Sequence, residues 1–402
     1  MRRPGEDFDR IVEAVRERLA RDGTAPEPSA VAAAARAEGV VLGAADLLRL
    51  LDGVGAELVG AGRLQPLLQV PGTTDVLVNG GGAVWVDDGA GLRRAHVGLG
   101  GEEEVRALAV RLAAGAGRRL DDASPFVDAR LPDGTRLHAV LPPLAPDGTH
   151  LSLRVPALRR LGFEELERSG AVPAGWGPVL RAVVAQRRSL LVSGGTGSGK
   201  TTLLQALLGL VPTGERIVLV EDAGELRPDH PHVVRLEARH GNVEGRGAVG
   251  LDVLVRQALR MRPDRLVVGE CRGAEVRDLL AALNTGHAGG AGTLHANAAA
   301  DVPVRLHALA ATAGVAPAVV DAQLLAGVDV VVHVERHGDR RGDDIDGRDG
   351  GGRAVIEVGV VGEDRGRAVV LPALVRGKGR AEGFDRLRAL LGAPACAAAE
   401  SS

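Results

Sequence analysis

Apolar and polar positions divide the chain into regimes of different period. Near the N-terminus Phe8, Ile11, Val12, Val15 and Leu19 recur three and four residues apart, the spacing that puts side chains on one helical face. After a proline-containing break, two more Ala- and Leu-rich stretches keep helical spacing to about Ala56. Across residues 64–156 the period shortens to alternating runs: DVLVNG (75–80), AVWVDD (83–88), FVDARLPDG (126–134) and RLHAVLPP (136–143). Alternation predicts strands with one buried face, and Asp133-Gly134 and Asp147-Gly148 supply hairpin turns. One helix interrupts them, with Val105, Leu108, Ala109 and Leu112 on a single face, so this region reads as an α+β domain.

A polar stretch with glycine and proline, 161–177, separates this region from a third. Beyond it strand-like and helix-like runs alternate: SLLVSG, TTLLQALLGL, RIVLVED, LVRQALRM, RLVVGE, VRDLLAALN and GTLHAN. Such alternation predicts a mostly parallel sheet with crossover helices. The run HGDRRGDDIDGRDGGGR (337–353) is charged, glycine-rich and aperiodic, and reads as a loop with no assigned role. Two short strands, AVIEVGVV and AVVLPAL, follow, and the last seven residues read as a frayed end. The expected organisation is a helical N-terminal segment (1–60), an α+β domain (61–158), a linker (159–177), an α/β domain (178–335), and a charged loop with short strands and tail (336–402).

Composition narrows the function. With 402 residues, 45% of them apolar, the chain exceeds the roughly 250 to 300 residues at which single cores stop growing, so two or three domains are expected. Forty-nine basic against 52 acidic side chains give a net charge of -3 and no global field for a polyanion. Four Phe, two Trp and no Tyr leave few platforms on which single-stranded bases could stack, so direct nucleic-acid contact is not expected. Cys271 and Cys396 are too few for a disulfide framework or a four-ligand zinc site; a reducing compartment follows, with Cys271 a small buried apolar residue. The opening MRRPGEDFDR has no apolar core and reads as no signal peptide. The longest apolar stretch, 308–334, contains Pro317, Asp321 and Asp329, a poor membrane span. The expected location is cytoplasmic, peripheral to a membrane at most.

The chemistry concentrates after the strand-like run 189–193. Gly194, Gly195, Thr196, Gly197, Ser198, Gly199, Lys200 and Thr201 fit G-x-x-x-x-G-K-[ST], and Thr202 continues into a helix carrying Leu203, Leu204, Leu207 and Leu208. Glycines let backbone amides close around phosphate oxygens, the helix N-terminus adds positive potential, Lys200 reaches the β and γ phosphates of ATP, and Thr201 holds Mg²⁺. Hydrolysis also needs carboxylates beside the γ-phosphate. RIVLVEDAGE (216–225) delivers Glu221, Asp222 and Glu225 to one strand end, and RLVVGE (265–270) delivers Glu270 to another. Carboxyl ends of parallel strands share a rim, so these acids converge on the phosphates or else are solvated strand caps. His287 and His295 bracket HAGGAGTLHAN; by position each is either a γ-phosphate contact or a donor to backbone. Arginines flank the same region: Arg130, Arg136 and Arg154 in the first domain's hairpins, Arg260, Arg262 and Arg272 around the second acidic strand.

Taken in order, DARLPDGTRLHAVLPPL, SGGTGSGKTTLLQAL, RIVLVEDAGEL, HVVRLEAR, LVRQALRMRPDRLVVGECRG and LNTGHAGGAGTLHAN resemble the TadA/CpaF group of the type II/type IV secretion ATPase superfamily, over about residues 64–334. The resemblance implies an α/β protein: a C-terminal RecA-like P-loop NTPase domain with a mostly parallel sheet, preceded by a smaller α+β, PAS-like domain and a helical lead-in. It implies ATP hydrolysis driving protein secretion or Flp-type pilus assembly by a hexameric cytoplasmic motor whose N-terminal domain closes over ATP and pulls on an inner-membrane platform protein. Glu225 then corresponds to the Asp-box catalytic base, Glu270 to the Walker B glutamate, and His287 and His295 to the His box. Arg136 and Arg154 become the arginines that reach the nucleotide from the N-terminal domain. Gly269 stands where many P-loop proteins place a metal-linked Asp. A conjugation ATPase acting on nucleic acid is the alternative, and an ATP-dependent switch without turnover a third reading.

Overall fold

In the computed structural model, residues 4–24, 26–40, 43–58, 60–89, 91–156, 161–239, 247–284, 288–336 and 352–400 are described. The chain divides into two compact units, Met1–Leu158 and Arg159–Ser402.

The first unit opens with helices Pro4–Asp22, Pro28–Ala37 and Ala44–Leu58, which bury Val12, Val15 and Leu19 against Val31, Ala34, Leu50 and Val54. Six antiparallel strands follow: β1 (Asp75–Asn79), β2 (Ala83–Asp87), β3 (Leu92–Ala95), β4 (Phe126–Arg130), β5 (Arg136–Val140) and β6 (His150–Arg154), in the order β3-β2-β1-β6-β5-β4. The alternation has the expected outcome: Val76, Val78, Val84, Val86, Leu137, Ala139, Leu151 and Leu153 turn inward onto helix Glu102–Gly115 through Val105, Leu108, Ala109 and Leu112.

The second unit is built on nine strands: β7 (Leu190–Gly194), β8 (Ile217–Glu221), β9 (Val233–Glu237), β10 (Arg265–Cys271), β11 (Ala291–Leu294), β12 (Val330–Arg336), β13 (Arg353–Asp364), β14 (Arg367–Val375) and β15 (Gly379–Arg380). Their order is β15-β14-β13-β12-β7-β11-β10-β8-β9; β7 to β12 run parallel, and β13 to β15 extend the sheet antiparallel. The central strands carry buried apolar runs, Leu190–Val192, Ile217–Val220 and Leu266–Val268, because both faces are covered. Leu190 and Val192 look toward helices Gly177–Ala185 and Lys200–Leu208. Leu191 looks the other way, into the cluster formed by Leu251–Ala258, Glu275–Asn284, Val302–Ala311 and Pro317–Gly327. Pro317 opens the last of these helices, and buried Asp321 takes a 2.9 Å contact from His307 Nε2.

Two expected segments differ. Residues 161–177, read as linker, contain helix Phe163–Arg168, and Phe163, Leu166, Val172 and Trp176 are buried in the second unit's core. Charged residues between them mask the short apolar repeat, and the Arg181 guanidinium lies 4.7 Å over the Phe163 ring. Of the last seven residues, 396–400 lie in a helix rather than fraying, and 401–402 lie outside the described residues: helices Phe384–Leu391 and Ala393–Glu400 return to the same core through Leu387, Leu391, Cys396 and Ala399. Alanine carries so little hydrophobic signal that its periodicity is easily missed. Most of the charged loop, 337–351, lies outside the described residues.

Phe163→Ala should therefore cost about 3 to 5 kcal/mol of second-unit stability, as for a truncated core aromatic. Urea unfolding of the full chain reads this; a loss below about 0.5 kcal/mol, the surface-substitution level, would restore the linker reading.

Candidate active site

The turn from β7 into helix Lys200–Leu208 forms a cradle lined by backbone amides. Gly194 and Gly199 have φ of 153° and 99°, and a Cβ on Gly194 would run into the Val334 carbonyl of neighbouring β12. Lys200 is buried, and its Nζ donates to the carbonyls of Gly194 (3.0 Å) and Gly195 (2.7 Å). Ser198 is also buried, and its Oγ has no hydrogen-bond partner among the described residues. An orphaned hydroxyl beside a helix N-terminus fits the oxygens of a nucleotide's phosphates. Gly195, Thr196 and Gly197 form the exposed rim, and Thr201 and Thr202 are partly buried in the first helical turn. The Thr201 hydroxyl is the hard oxygen donor a Mg²⁺ ion would use there.

Acidic groups stand on one flank of this loop because β11, β10 and β8 follow β7 in order, all parallel, so their carboxyl ends meet on one rim. His295 sits just past the end of β11 rather than inside a strand. Its Nδ1 is 3.4 Å from Lys200 Nζ and its Nε2 is 2.6 Å from Glu270 Oε1. Glu270 Oε2 accepts from the Arg272 guanidinium at 2.6 Å. Lys200, His295, Glu270 and Arg272 thus form one chain of polar contacts from the phosphate cradle to the rim. Partial burial alone would raise the Glu270 carboxyl, but the Arg272 hydrogen bond and the charges of Arg272, His295 and Lys200 outweigh it and hold it below its usual range. Burial and the Lys200 charge lower His295, against the opposing pull of Glu270.

Glu225 is exposed, in the loop after β8, and that loop is fixed from below. Glu221, the last residue of β8, is only 4% exposed; its Oε1 accepts the amides of Glu225 (2.9 Å) and Leu226 (3.0 Å). Burial pushes its carboxyl up to about 7, against those two amides. The register Val220↔Val268 sets Gly269 beside Glu221, and a Cβ on Gly269 would lie 2.6 Å from Glu221 Cγ. The glycine in place of an Asp is thus the clearance that lets the neighbouring strand's glutamate lie inside the sheet edge. Arg272 lies close enough to Asp222 and Glu225 for their charges, after that of Glu270, to raise its own pKa.

In the first unit the arginines form a row. Arg130 pairs with Arg136, Arg136 with Arg154, and Arg154 with Asp75, across β4, β5, β6 and β1. His287 lies outside the described residues. The sequence reading noted Gly269 only as a departure from the metal-linked Asp, not as clearance for Glu221, and it did not single out Arg353. Gly269 carried the available signal, a glycine inside a strand, which often marks close approach of another group. Arg353, whose Nε donates to Gly197 O at 2.8 Å, had been absorbed into the charged loop.

Comparison with known proteins agrees with this geometry. A Mycobacterium tuberculosis protein named for conjugal transfer is 50% identical over 357 residues, 87% of this chain and 98% of its own. The type IV secretion system protein PtlH of Bordetella pertussis is 37% identical over 265 residues, 60% of this chain and 78% of its own. The fold matches that of the Legionella pneumophila ATPase DotB, with a TM-score of 0.50 at 19% identity over 84% of this chain and 85% of that one. It also matches the pilus retraction motor PilT with bound ADP, at 0.51 and 20% over 74% and 81%. Residues 57–345 match the type II/IV secretion system protein family, and the chain belongs to it.

Proposed function

We propose that this chain is an ATPase, hydrolysing ATP to ADP and phosphate on its second unit, and that it works as a homo-oligomer, a hexamer, on the cytoplasmic face of a secretion or pilus machine. The observation that carries the chemistry is the contact chain from Lys200 through His295 to Glu270. In this reading the amides of Gly194 to Thr202 and the Ser198 hydroxyl hold the phosphates, while Lys200 exchanges its carbonyl partners for the β and γ oxygens. Thr201 would hold a Mg²⁺ ion, which when bound would supply neutralisation of the phosphate charge. Glu270, kept ionised by Arg272, orients the attacking water. Glu225 accepts its proton as the bond from the γ-phosphorus to the bridging oxygen breaks, and His295 reports the γ-phosphate to Glu270. Arg136 and Arg154 reach the nucleotide as charge-stabilising groups, and His287 keeps its His-box role.

The finer assignment is a TadA/CpaF-type motor that engages an inner-membrane platform protein from the cytoplasm. None of the described helices is long and apolar enough to cross a membrane, in keeping with a peripheral role. Conjugation is a second reading, favoured by the 50% identical relative's name. DNA-stimulated turnover that falls with added salt would select it; the net charge of -3 favours no stimulation.

Glu270→Gln should keep ATP affinity within about 3-fold while lowering turnover by at least ~10²-fold, whereas Lys200→Ala should weaken both. Phosphate release and nucleotide binding on the purified chain read the two effects, and near-normal turnover in Glu270→Gln would remove that carboxylate from the mechanism. Gly269→Ala should displace Glu221 and with it the Glu225 loop, cutting turnover by up to ~10²-fold at nearly unchanged ATP affinity. Glu221→Gln, which keeps the acceptor oxygen, should retain more turnover than Glu221→Ala; equal losses would show that the amide contacts do not matter. Diluting the protein below its assembly threshold should lower specific activity, and a constant value in a monomer would count against the ring.

A further inference from the structure

Arg353, the first residue of β13, stands on the flank of the cradle opposite the acids. β12 pairs with β7 so that Val334 faces Gly194, and Arg353 pairs with Arg336 just beyond. The Arg353 stem crosses the loop, its Cδ 3.2 Å from where a Cβ on Gly199 would lie, while Nε donates to Gly197 O at 2.8 Å. Among the described residues Nε is the one side-chain nitrogen of Arg353 that is hydrogen-bonded, and the residue is exposed. It also lies beyond the 57–345 span matched by the family.

The orientation of a bound nucleotide follows from the acids. Lys200, His295 and Glu270 gather on the β11 and β10 side, so the terminal phosphate belongs there and the nucleoside leaves across the β12 and β13 side. A purine on that side needs a flat surface. The second unit's aromatics, Phe163, Trp176 and Phe384, are all buried in its core and cannot supply one. A guanidinium is planar, stacks on π-systems and remains charged.

We propose that Arg353 is the nucleoside-end contact of the site, its guanidinium packing on the purine of the bound nucleotide while its Nε steadies the cradle through Gly197. This rests on the ATPase reading above and adds a determinant that separates a nucleotide from a bare polyphosphate.

The test compares ATP with inorganic tripolyphosphate, each with Mg²⁺, by calorimetry on the full-length protein. Arg353→Ala should weaken ATP binding by about 3- to 30-fold, the range of a cation–π contact, and leave tripolyphosphate within about 2-fold. Arg353→Lys, which keeps charge but not the plane, should lose part of the same preference and guards against a folding defect in the alanine variant. A parallel loss of both ligands would reduce Arg353 to a prop for the loop and overturn the proposal. Unchanged ATP affinity in both variants would overturn it as well. If the unmodified protein bound neither ligand, the ATPase reading would fall and this inference with it; tight ATP binding with an indifferent Arg353 would sink the inference alone.

Discussion

The approach of β12 to the first glycine of the cradle is the constraint on which the second unit turns. With the Val334 carbonyl pressed against Gly194, no side chain can stand at the end of β7, and the backbone must turn there into helix Lys200–Leu208. The same packing centres β7 between two flanks of different chemistry. On one, β11, β10 and β8 bring His295, Glu270 and Glu221 to the rim; on the other, β13 brings Arg353. A parallel sheet makes this division possible because every strand from β7 to β12 releases its chain on the same side.

Gly269 and Glu221 illustrate how a departure from a familiar motif is resolved by a neighbour. The strand that might have carried a second carboxylate carries none, and the space is taken by the side chain of the next strand. That side chain is held for its acceptor oxygen, which fixes two amides, while Glu270 is the acid kept ionised by cationic neighbours. Two glutamates one strand apart are thereby driven toward opposite protonation states by burial in one case and by Arg272 in the other.

Much of this was legible in the residues. The alternation of Val76, Val78, Val84 and Val86 announced a half-buried sheet, and the glycine-lysine-threonine turn after an apolar strand announced the cradle. The failures have physical causes. Phe163 and Trp176 were separated by charges whose long stems tolerate the edge of a core, and Ala393–Glu400 relied on alanines whose small burial gives no strong period. Gly269 and Arg353 depend on which strand lies beside which, and strand order is a property of the folded sheet that local patterns do not encode.

The row of Arg130, Arg136 and Arg154 carries an energetic consequence of its own. Like charges set opposite one another across antiparallel strands repel, and Asp75, opposite Arg154 at the end of the row, offsets part of that repulsion. Any anion that settles on the row gains the release of that mutual repulsion in addition to its own attraction. An anion bound there would therefore be thermodynamically linked to the integrity of the first unit's sheet, each favouring the other.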